Sequence, residues 1–269
     1  SNYGLFGYIF NFYKYFKTIY KARKILIKEN VSILLTTGSY IAPIASFLSY
    51  IMKMKLFIQE QNIYAGLGNK IASIFPGVVF TSYPDTKNIV KRRALYVGPV
   101  INKSLLKNKD LIKNEFTLGV QGGSQGSEEV NDLFYKYYTK NDISEINILH
   151  ITGKGKKFKK INDPNYRQHD FINDMNTYYS KIHLQISRSG GGSLEAAYLG
   201  IPQILIPYKH GTTSSHQLLN AQYLENLGLA VIINSYEELD ETLNKILNNL
   251  GNWRNLYFNE NIIESGNIK

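Results

Sequence analysis

No cysteine occurs anywhere in the chain. That excludes disulfide staples, thiolate catalysis and Cys-ligated zinc, and it fits a reducing compartment. Long apolar runs are missing too: none reaches the ~18 residues that a membrane-spanning helix requires. The start lacks the short apolar core and small-residue cleavage site of a signal peptide, and there are no internal repeats or low-complexity tracts. Acidic residues are outnumbered, 21 Asp+Glu against 31 Lys+Arg, for a net charge of +10. Such a surface favours anionic partners: nucleic acid, acidic lipid headgroups or phosphorylated substrates. No zinc finger, basic zipper or recurring RNA-binding signature is present, so no nucleic-acid partner is expected. The expectation is a protein that is soluble or peripheral, on the cytoplasmic side of a membrane.

What the chain does have is a globular composition: 269 residues, 43% hydrophobic and 19% charged, enough for two medium domains or one large one. Strand and helix patterns alternate almost throughout. VSILLTT (31–37), KLFIQE (55–60), VVFTS (78–82) and ALYVG (94–98) read as short buried strands. A second series lies at 116–121, 146–152, 183–187, 203–207 and 230–234, with helical patterns at 128–138, 193–199, 215–226 and 236–249. Alternation of this kind predicts an α/β class, parallel sheets with helices on both faces. The polar stretch 98–115 divides the two series and reads as a domain linker. Two doubly wound domains would place their strand carboxyl ends, where such sheets bind ligands, across one cleft.

The unusual residues fall just after strands. In VQGGSQGSEEVNDLF (120–134) a strand runs into Gly122, Gly123, Ser124, Gln125 and Gly126 before a helix opens. Helix N-termini present unpaired N–H groups, and glycine lets a phosphate approach them, so the stretch predicts a phosphate cradle. It is neither a Walker loop nor a dinucleotide fingerprint; the bland alternative is a tight turn. In SRSGGGSLEAAYLGIP (187–202) three glycines follow another strand, and Glu195 is expected in the first turn of the next helix. An acid there either complements the helix dipole or accepts hydrogen bonds from a pair of ligand hydroxyls, as acids do for ribose. His216, Gln217 and Asn220 open a further helix, with His210 in the loop before it, and suit a sugar better than a metal; the bland alternative is that Gln217 and Asn220 cap the helix or face solvent. Glu60, Gln61 and Asn62 follow the strand at 55–60 and read as a catalytic pair or an ordinary loop network. Residues 4–30 set Leu5, Ile9, Phe12, Phe16 and Ile19 at helical spacing among Lys14, Lys17, Lys21 and Lys24. That suits a helix packed on the first sheet and equally the surface of an anionic bilayer.

Six motifs in this order, TTGSYIAP, QEQNIYAGLGNK, GGSQGSEEVN, FINDM, SRSGGGSLEAAYLGIP and SSHQLLNA, resemble the MurG family over residues 4–250. That family moves N-acetylglucosamine from UDP-N-acetylglucosamine to undecaprenyl-diphospho-muramoyl-pentapeptide in peptidoglycan synthesis. The resemblance implies a GT-B fold of two Rossmann-like domains facing a cleft. Residues 1–100 would form an incomplete acceptor and membrane-side domain, 101–252 the UDP-sugar domain and 253–269 a tail. By motif, Ser124 and Gln125 would meet the donor near its diphosphate, and Ile172 the uracil through its backbone. Gly191, Gly192, Ser193 and Leu194 would line the nucleotide, with Glu195 on the ribose hydroxyls. Gln217, beside His216 and Asn220, would hold the sugar, and Asn62 would approach it from the first domain. The family inverts at the anomeric carbon without a covalent intermediate. The implied partners are UDP-N-acetylglucosamine, the lipid-linked acceptor and an anionic membrane surface; no cofactor and no metal are implied.

Departures from the family pattern set further expectations. A glycine-rich loop ending in a histidine, the family's candidate base, has no counterpart, which leaves Glu60 as the candidate catalytic group. Ile101 stands where the family has an arginine, and Ser39 where a second glycine is usual. The run before Glu195 is one residue short, and the chain ends before the family's last helix. A fragment of a longer product or a naturally reduced form would both look like this. The alternatives are another GT-B lipid glycosyltransferase, or a UDP-sugar-binding subunit that needs a separate amino-terminal part.

Overall fold

The structure, a computed structural model, describes residues 5–106, 115–123, 125–155, 158–208, 214–259 and 263. The chain divides into two compact units, Ser1–Tyr96 and Val97–Lys269.

The first unit opens with α1 (Leu5–Lys28) and continues as β1 (Ile33–Thr36), α2 (Ile41–Ile51), β2 (Lys55–Glu60), α3 (Leu67–Ala72), β3 (Val78–Thr81) and β4 (Ala94–Tyr96). Its four strands pair in chain order, all parallel. Side chains alternate across a strand, so Leu56, Ile58 and Val79 share one face, where they pack with Ala42 and Ala72 of the helices. Ile33, Leu35 and Leu95 are exposed.

The second unit begins with α4 (Lys103–Leu106) and then alternates: β5 (Thr117–Gln121), α5 (Glu128–Lys140), β6 (Asn147–Ile151), β7 (Tyr166–His169), α6 (Met175–Tyr179), β8 (Leu184–Ser187), α7 (Gly191–Tyr198), β9 (Gln203–Leu205), α8 (Ser214–Asn226), β10 (Ala230–Ile232), α9 (Tyr236–Leu247) and α10 (Arg254–Tyr257). The sheet is parallel throughout, in the order β7-β6-β5-β8-β9-β10. Numbered from β5, that is the doubly wound order 3-2-1-4-5-6, whose switch point lies between β5 and β8. Leu118, Val120, Leu184, Ile186 and Ile204 form one face and bury Phe134 of α5 and Leu239, Leu243 and Ile246 of α9. The other face is less apolar: Gly119, Gln121, Gln185, Ser187 and Gln203 sit there in register, against α6 and α7. Gly119 is bare because a Cβ would stand 2.5 Å from the Tyr178 hydroxyl and 2.7 Å from Ile182.

The helices begin where the sequence supplies caps. Ser127 accepts from Val130 N, Asp174 from Asn176 N and Ser235 from Glu238 N. Glutamates in the first turns of α5 and α9, with a lysine in each last turn, complement their dipoles. Two segments are more tightly held than the sequence suggests. Ile101 and Leu105, in the stretch read as a linker, are buried. Trp253, Tyr257 and Phe258 pack on the second core, and Arg254 Nη2 donates to Gly200 O at 2.6 Å.

Candidate functional site

The two glycine turns of the second unit follow β5 and β8, so the fold brings them together at the switch point. Beneath the first turn, Asn131 Nδ2 donates to Thr152 O at 2.8 Å, and Asn131 Oδ1 lies 3.0 Å from His150 Nε2. His150 is fully buried, with Nδ1 2.6 Å from the Tyr166 hydroxyl. Burial pulls its pKa down from 6.5 to about 3, so the ring is neutral, donating through Nε2 and accepting at Nδ1. Gly126 packs directly on Thr152 and Gly153. Ser124 lies outside the described residues, as does His210, and Gln125 is exposed. The α5 terminus already carries Glu128 and Glu129, so an anion there would meet the turn's backbone and a neighbouring arginine rather than a bare dipole.

That arginine, Arg188, was not singled out in the sequence although it stands inside SRSGGG. Its Nε donates to Ser127 Oγ (3.0 Å), Nη1 to Ile206 O (2.9 Å) and Nη2 to Glu129 Oε2 (2.7 Å), while the guanidinium lies over the Tyr208 ring. One side chain thus ties the first turn, the second turn and the end of β9 together. It lines two adjoining hollows, one of about 430 Å³ and one of about 590 Å³.

The smaller hollow is floored by Gly190, Gly191 and Gly192 and walled by Ile172, Tyr179 and Glu195, with Gln121 at its base. The second turn differs from expectation in one respect. Gly191 and Gly192 are already helical, so Glu195 falls in the second turn of α7, and no acid occupies the first. Dipole complementation, which fades beyond the first turn, therefore does not account for it. The Tyr179 hydroxyl lies 3.0 Å from Glu195 Oε2 and 3.1 Å from Gly192 O. Burial raises the Glu195 pKa above the usual carboxylate value, and the Tyr179 hydrogen bond opposes that rise. Ser193 and Leu194 turn their side chains inward: Ser193 Oγ donates to Gly190 O, and Leu194 is buried. Phe171 and Asn173, flanking Ile172, also line the hollow.

Of the sugar-side candidates, Gln217 lines the larger hollow and its Oε1 accepts from Tyr208 N at 3.0 Å. Ser189 Oγ donates to Gln217 O at 2.6 Å. Asn220 is buried and donates through Nδ2 to Ser189 O, which fastens α8 to the second turn. His216 is half-buried at the start of α8.

In the first unit, the Glu60 carboxylate is 3% exposed and enclosed by its own loop. Oε1 accepts from Asn62 N (2.9 Å) and Asn62 Nδ2 (3.1 Å), and Oε2 from Gly66 N (3.3 Å) and Asn69 Nδ2 (2.9 Å). Those four donors match a carboxylate's acceptor capacity. Of the two readings the sequence left open, the geometry is that of a loop network. Ser39 has φ +66, in the left-handed region, which gives the family's glycine at that place a physical reason.

A scan against family models matches residues 117–262 to the glycosyltransferase family 28 C-terminal domain and residues 1–81 to the family's N-terminal domain. The chain belongs to glycosyltransferase family 28. It is 30% identical over 245 residues to the UDP-N-acetylglucosamine–N-acetylmuramyl-(pentapeptide) pyrophosphoryl-undecaprenol N-acetylglucosamine transferase of Thermotoga neapolitana, covering 86% of this chain and 70% of that one. The enzyme of the same name from Thermosipho africanus is 33% identical over 236 residues, covering 85% and 68%. Among solved structures, MurG of Acinetobacter baumannii superposes with a TM-score of 0.67 at 22% identity, over 87% of this chain and 70% of that one. The MurG resemblance read from the motifs is borne out, and so is the GT-B class, here as two parallel α/β units. Ile101, which the resemblance set at the family's arginine position, is 2% exposed, a site of packing in this chain.

Proposed function

We propose that the chain is an inverting N-acetylglucosaminyltransferase that moves N-acetylglucosamine from UDP-N-acetylglucosamine to undecaprenyl-diphospho-muramoyl-pentapeptide. The observation that carries the reading is the hollow at the switch point, with a bare glycine floor and the Glu195 carboxylate in its wall, in a chain of this family. The uridine lies in the smaller hollow, its ring against Ile172 and its ribose hydroxyls donating to Glu195. The diphosphate runs past Arg188 toward the turn at 122–126, and the sugar reaches the larger hollow near Gln217. The acceptor hydroxyl attacks the anomeric carbon from the face opposite the leaving UDP, and backbone N–H groups at the helix ends take up the charge on the departing diphosphate. Glu60, already surrounded by donors, shapes the loop that carries Asn62.

The protein works at the cytoplasmic membrane face. Among the described residues no helix is long and apolar enough to cross a bilayer. Phe16 and Tyr20 of α1 are exposed beside Lys17, Lys21 and Lys24, a composition suited to anionic headgroups. Calorimetry with UDP-N-acetylglucosamine, and transfer of labelled sugar to the lipid-linked acceptor, test the assignment. Glu195→Ala weakens donor binding by about tenfold or more, the scale of a lost charge-assisted hydrogen bond. Unchanged binding would overturn the site.

A further inference from the structure

Three buried glutamines cross the sheet beneath the site. Gln203 Nε2 donates to Ser193 O at 2.9 Å, Gln185 Nε2 to Gln203 Oε1 at 3.2 Å, and Gln121 Nε2 to Gln185 Oε1 at 2.9 Å. Gln185 and Gln203 are fully buried and Gln121 nearly so. Gln185 stands in register with Gln203, while Gln121 lies diagonally across, paired in register with Ser187. The path leaves α7 at the Ser193 carbonyl and crosses β9, β8 and β5. At the far end Gln121 Nε2 and the Tyr179 hydroxyl meet at Gly192, within 3.3 and 3.4 Å of where a Cβ there would stand; burial raises the Tyr179 pKa, and the Gln121 amide opposes that rise. Tyr179 lies against Glu195 Oε2, back on α7.

The polarity of this chain is fixed from one end. A backbone carbonyl can only accept, so Gln203 must present its NH₂ to Ser193 and its oxygen to Gln185. Gln185 must then present NH₂ to Gln203, which leaves its oxygen for Gln121, and Gln121 must present NH₂ in turn. A reversed amide anywhere would set two like groups face to face in a buried site and leave hydrogen bonds unmade. Tyr179 directs its own proton toward Glu195 Oε2 and Gly192 O, which leaves its lone pairs to the side where the Gln121 NH₂ lies. Among the described residues, Tyr179 supplies the hydrogen bond that the Glu195 carboxylate receives, so the other carboxylate oxygen remains open toward the hollow. Gly192 leaves room for this arrangement: a Cβ there would stand 3.3 Å from Gln121 Nε2 and 3.4 Å from the Tyr179 hydroxyl.

We propose that Gln203, Gln185 and Gln121 are positioning residues for the hydroxyl-binding carboxylate, a one-way amide relay that holds Tyr179 as a donor to one oxygen of Glu195 and presents the other to the ligand. The inference rests on the nucleotide site proposed above. It assigns a role to Gln185 and Gln203, which lie outside the hollow's lining, and it explains why a sheet face in a globular core carries a row of amides instead of valines. Burial alone disfavours the charged carboxylate; the relay counters that by keeping a donor on it.

The test compares affinities for UDP and for 2′,3′-dideoxyuridine diphosphate, which lacks the hydroxyls. The wild type prefers UDP by about tenfold or more, and Glu195→Ala abolishes the preference. Gln185→Met removes the central amide at similar volume, and Gln203→Met removes the one that meets the Ser193 carbonyl, both away from the hollow's lining. Both variants reduce the UDP preference severalfold, leave dideoxy-UDP affinity within about twofold, and move the acid limb of the preference to higher pH. Circular dichroism and melting establish that each variant is folded; if Gln185→Met is not, Gln203→Met carries the test alone. Equal loss of affinity for both nucleotides, or an undiminished preference in the folded variants, overturns the relay and leaves the nucleotide site standing. A wild type that binds neither nucleotide, or a preference that survives Glu195→Ala, overturns the site reading itself.

Discussion

In the turn after β5, glycine is a backbone requirement. Gly123 and Gly126 have φ of +82 and +71. A Cβ on Gly122 would lie 2.1 Å from Ser127 N, and one on Gly126 would lie 2.3 Å from Thr152 O. In the turn after β8 no glycine has a positive φ, and the tightest approach is milder, a Cβ on Gly192 lying 3.3 Å from Gln121 Nε2. Gly190 caps α7 in an extended conformation with φ −101, a Cβ on it would meet nothing within 4 Å, and Gly191 and Gly192 are helical. The first turn uses glycine to pack protein on protein; the second leaves backbone bare toward a hollow. Two stretches that look alike in the sequence therefore differ in kind: the first needs glycine for its backbone even where Gly123 opens onto the smaller hollow, whereas in the second Gly190 is bare with no backbone need for it.

The largest test of that difference comes from acid, through the base on which the first turn rests. His150 is neutral in the folded protein down to about pH 3, whereas the unfolded ring takes up a proton below pH 6.5. Between those values the unfolded state binds the extra proton, so this contribution to stability is complete above pH 6.5 and falls as pH drops. The slope is about 1.4 kcal/mol per pH unit, accumulating to on the order of 4 kcal/mol by pH 3. Denaturant melts of the wild type and of His150→Gln between pH 7 and 4.5 isolate it, because the substituted protein lacks this slope. Parallel curves would remove His150 from the account. Gly126→Ala comes next, at about 3 kcal/mol, from a strained φ and a backbone collision together. A melting midpoint within error of wild type would mean that the first turn is as tolerant as the second.

Arg188 joins the two turns, and its removal tests whether they form one site. Arg188→Met loses bonds to Ser127 and Ile206 and leaves Glu129 without its ion pair. Glu129 is 34% exposed, so solvent softens the loss and about 2 kcal/mol is expected. UDP affinity falls with it, because Ser127 closes the first turn and Arg188 begins the second. Affinity for UDP that survives in a folded Arg188→Met protein would show that the turns act separately.

How much of this was legible in the sequence follows the physics of each feature. Buried parallel strands read as short apolar runs, which is why LFI, VVF and ILIP were placed correctly. β7, Tyr166–His169, was missed because YRQH is polar; it holds the sheet's edge through pairing with β6. The start of α7 was set two residues late because glycine is a poor helix former, yet the helix begins at Gly191, where Ser193 Oγ donates back to Gly190 O. Glu195 was legible because a lone acid beside bare backbone is unusual. The glutamine row was not, since Gln121, Gln185 and Gln203 become neighbours only through the order β5-β8-β9. For Glu60 the sequence left two readings, and only hydrogen-bond geometry separates an acid with four donors from one with room for a ligand.

The smallest effect on stability is also the sharpest probe of the second turn. Gly190→Ala places a methyl on a residue whose φ of −101 and ψ of −156 any amino acid adopts. Alanine loses less chain entropy on folding, a gain of about 0.4–1 kcal/mol, but it is a poorer N-cap than glycine by a comparable amount. The two nearly cancel, so the melting midpoint should move by the equivalent of less than about 0.5 kcal/mol. The ligand has no such compensation. Gly190 lines the smaller hollow, and a methyl there holds the nucleotide off the backbone and lengthens its bonds to the floor. UDP affinity should drop by about tenfold, the cost of one displaced hydrogen bond to a charged group, while stability stays put. Were UDP to bind Gly190→Ala as it binds the wild type, the bare glycines would not be the ligand's floor, and the contrast between the two turns would reduce to a difference in backbone strain.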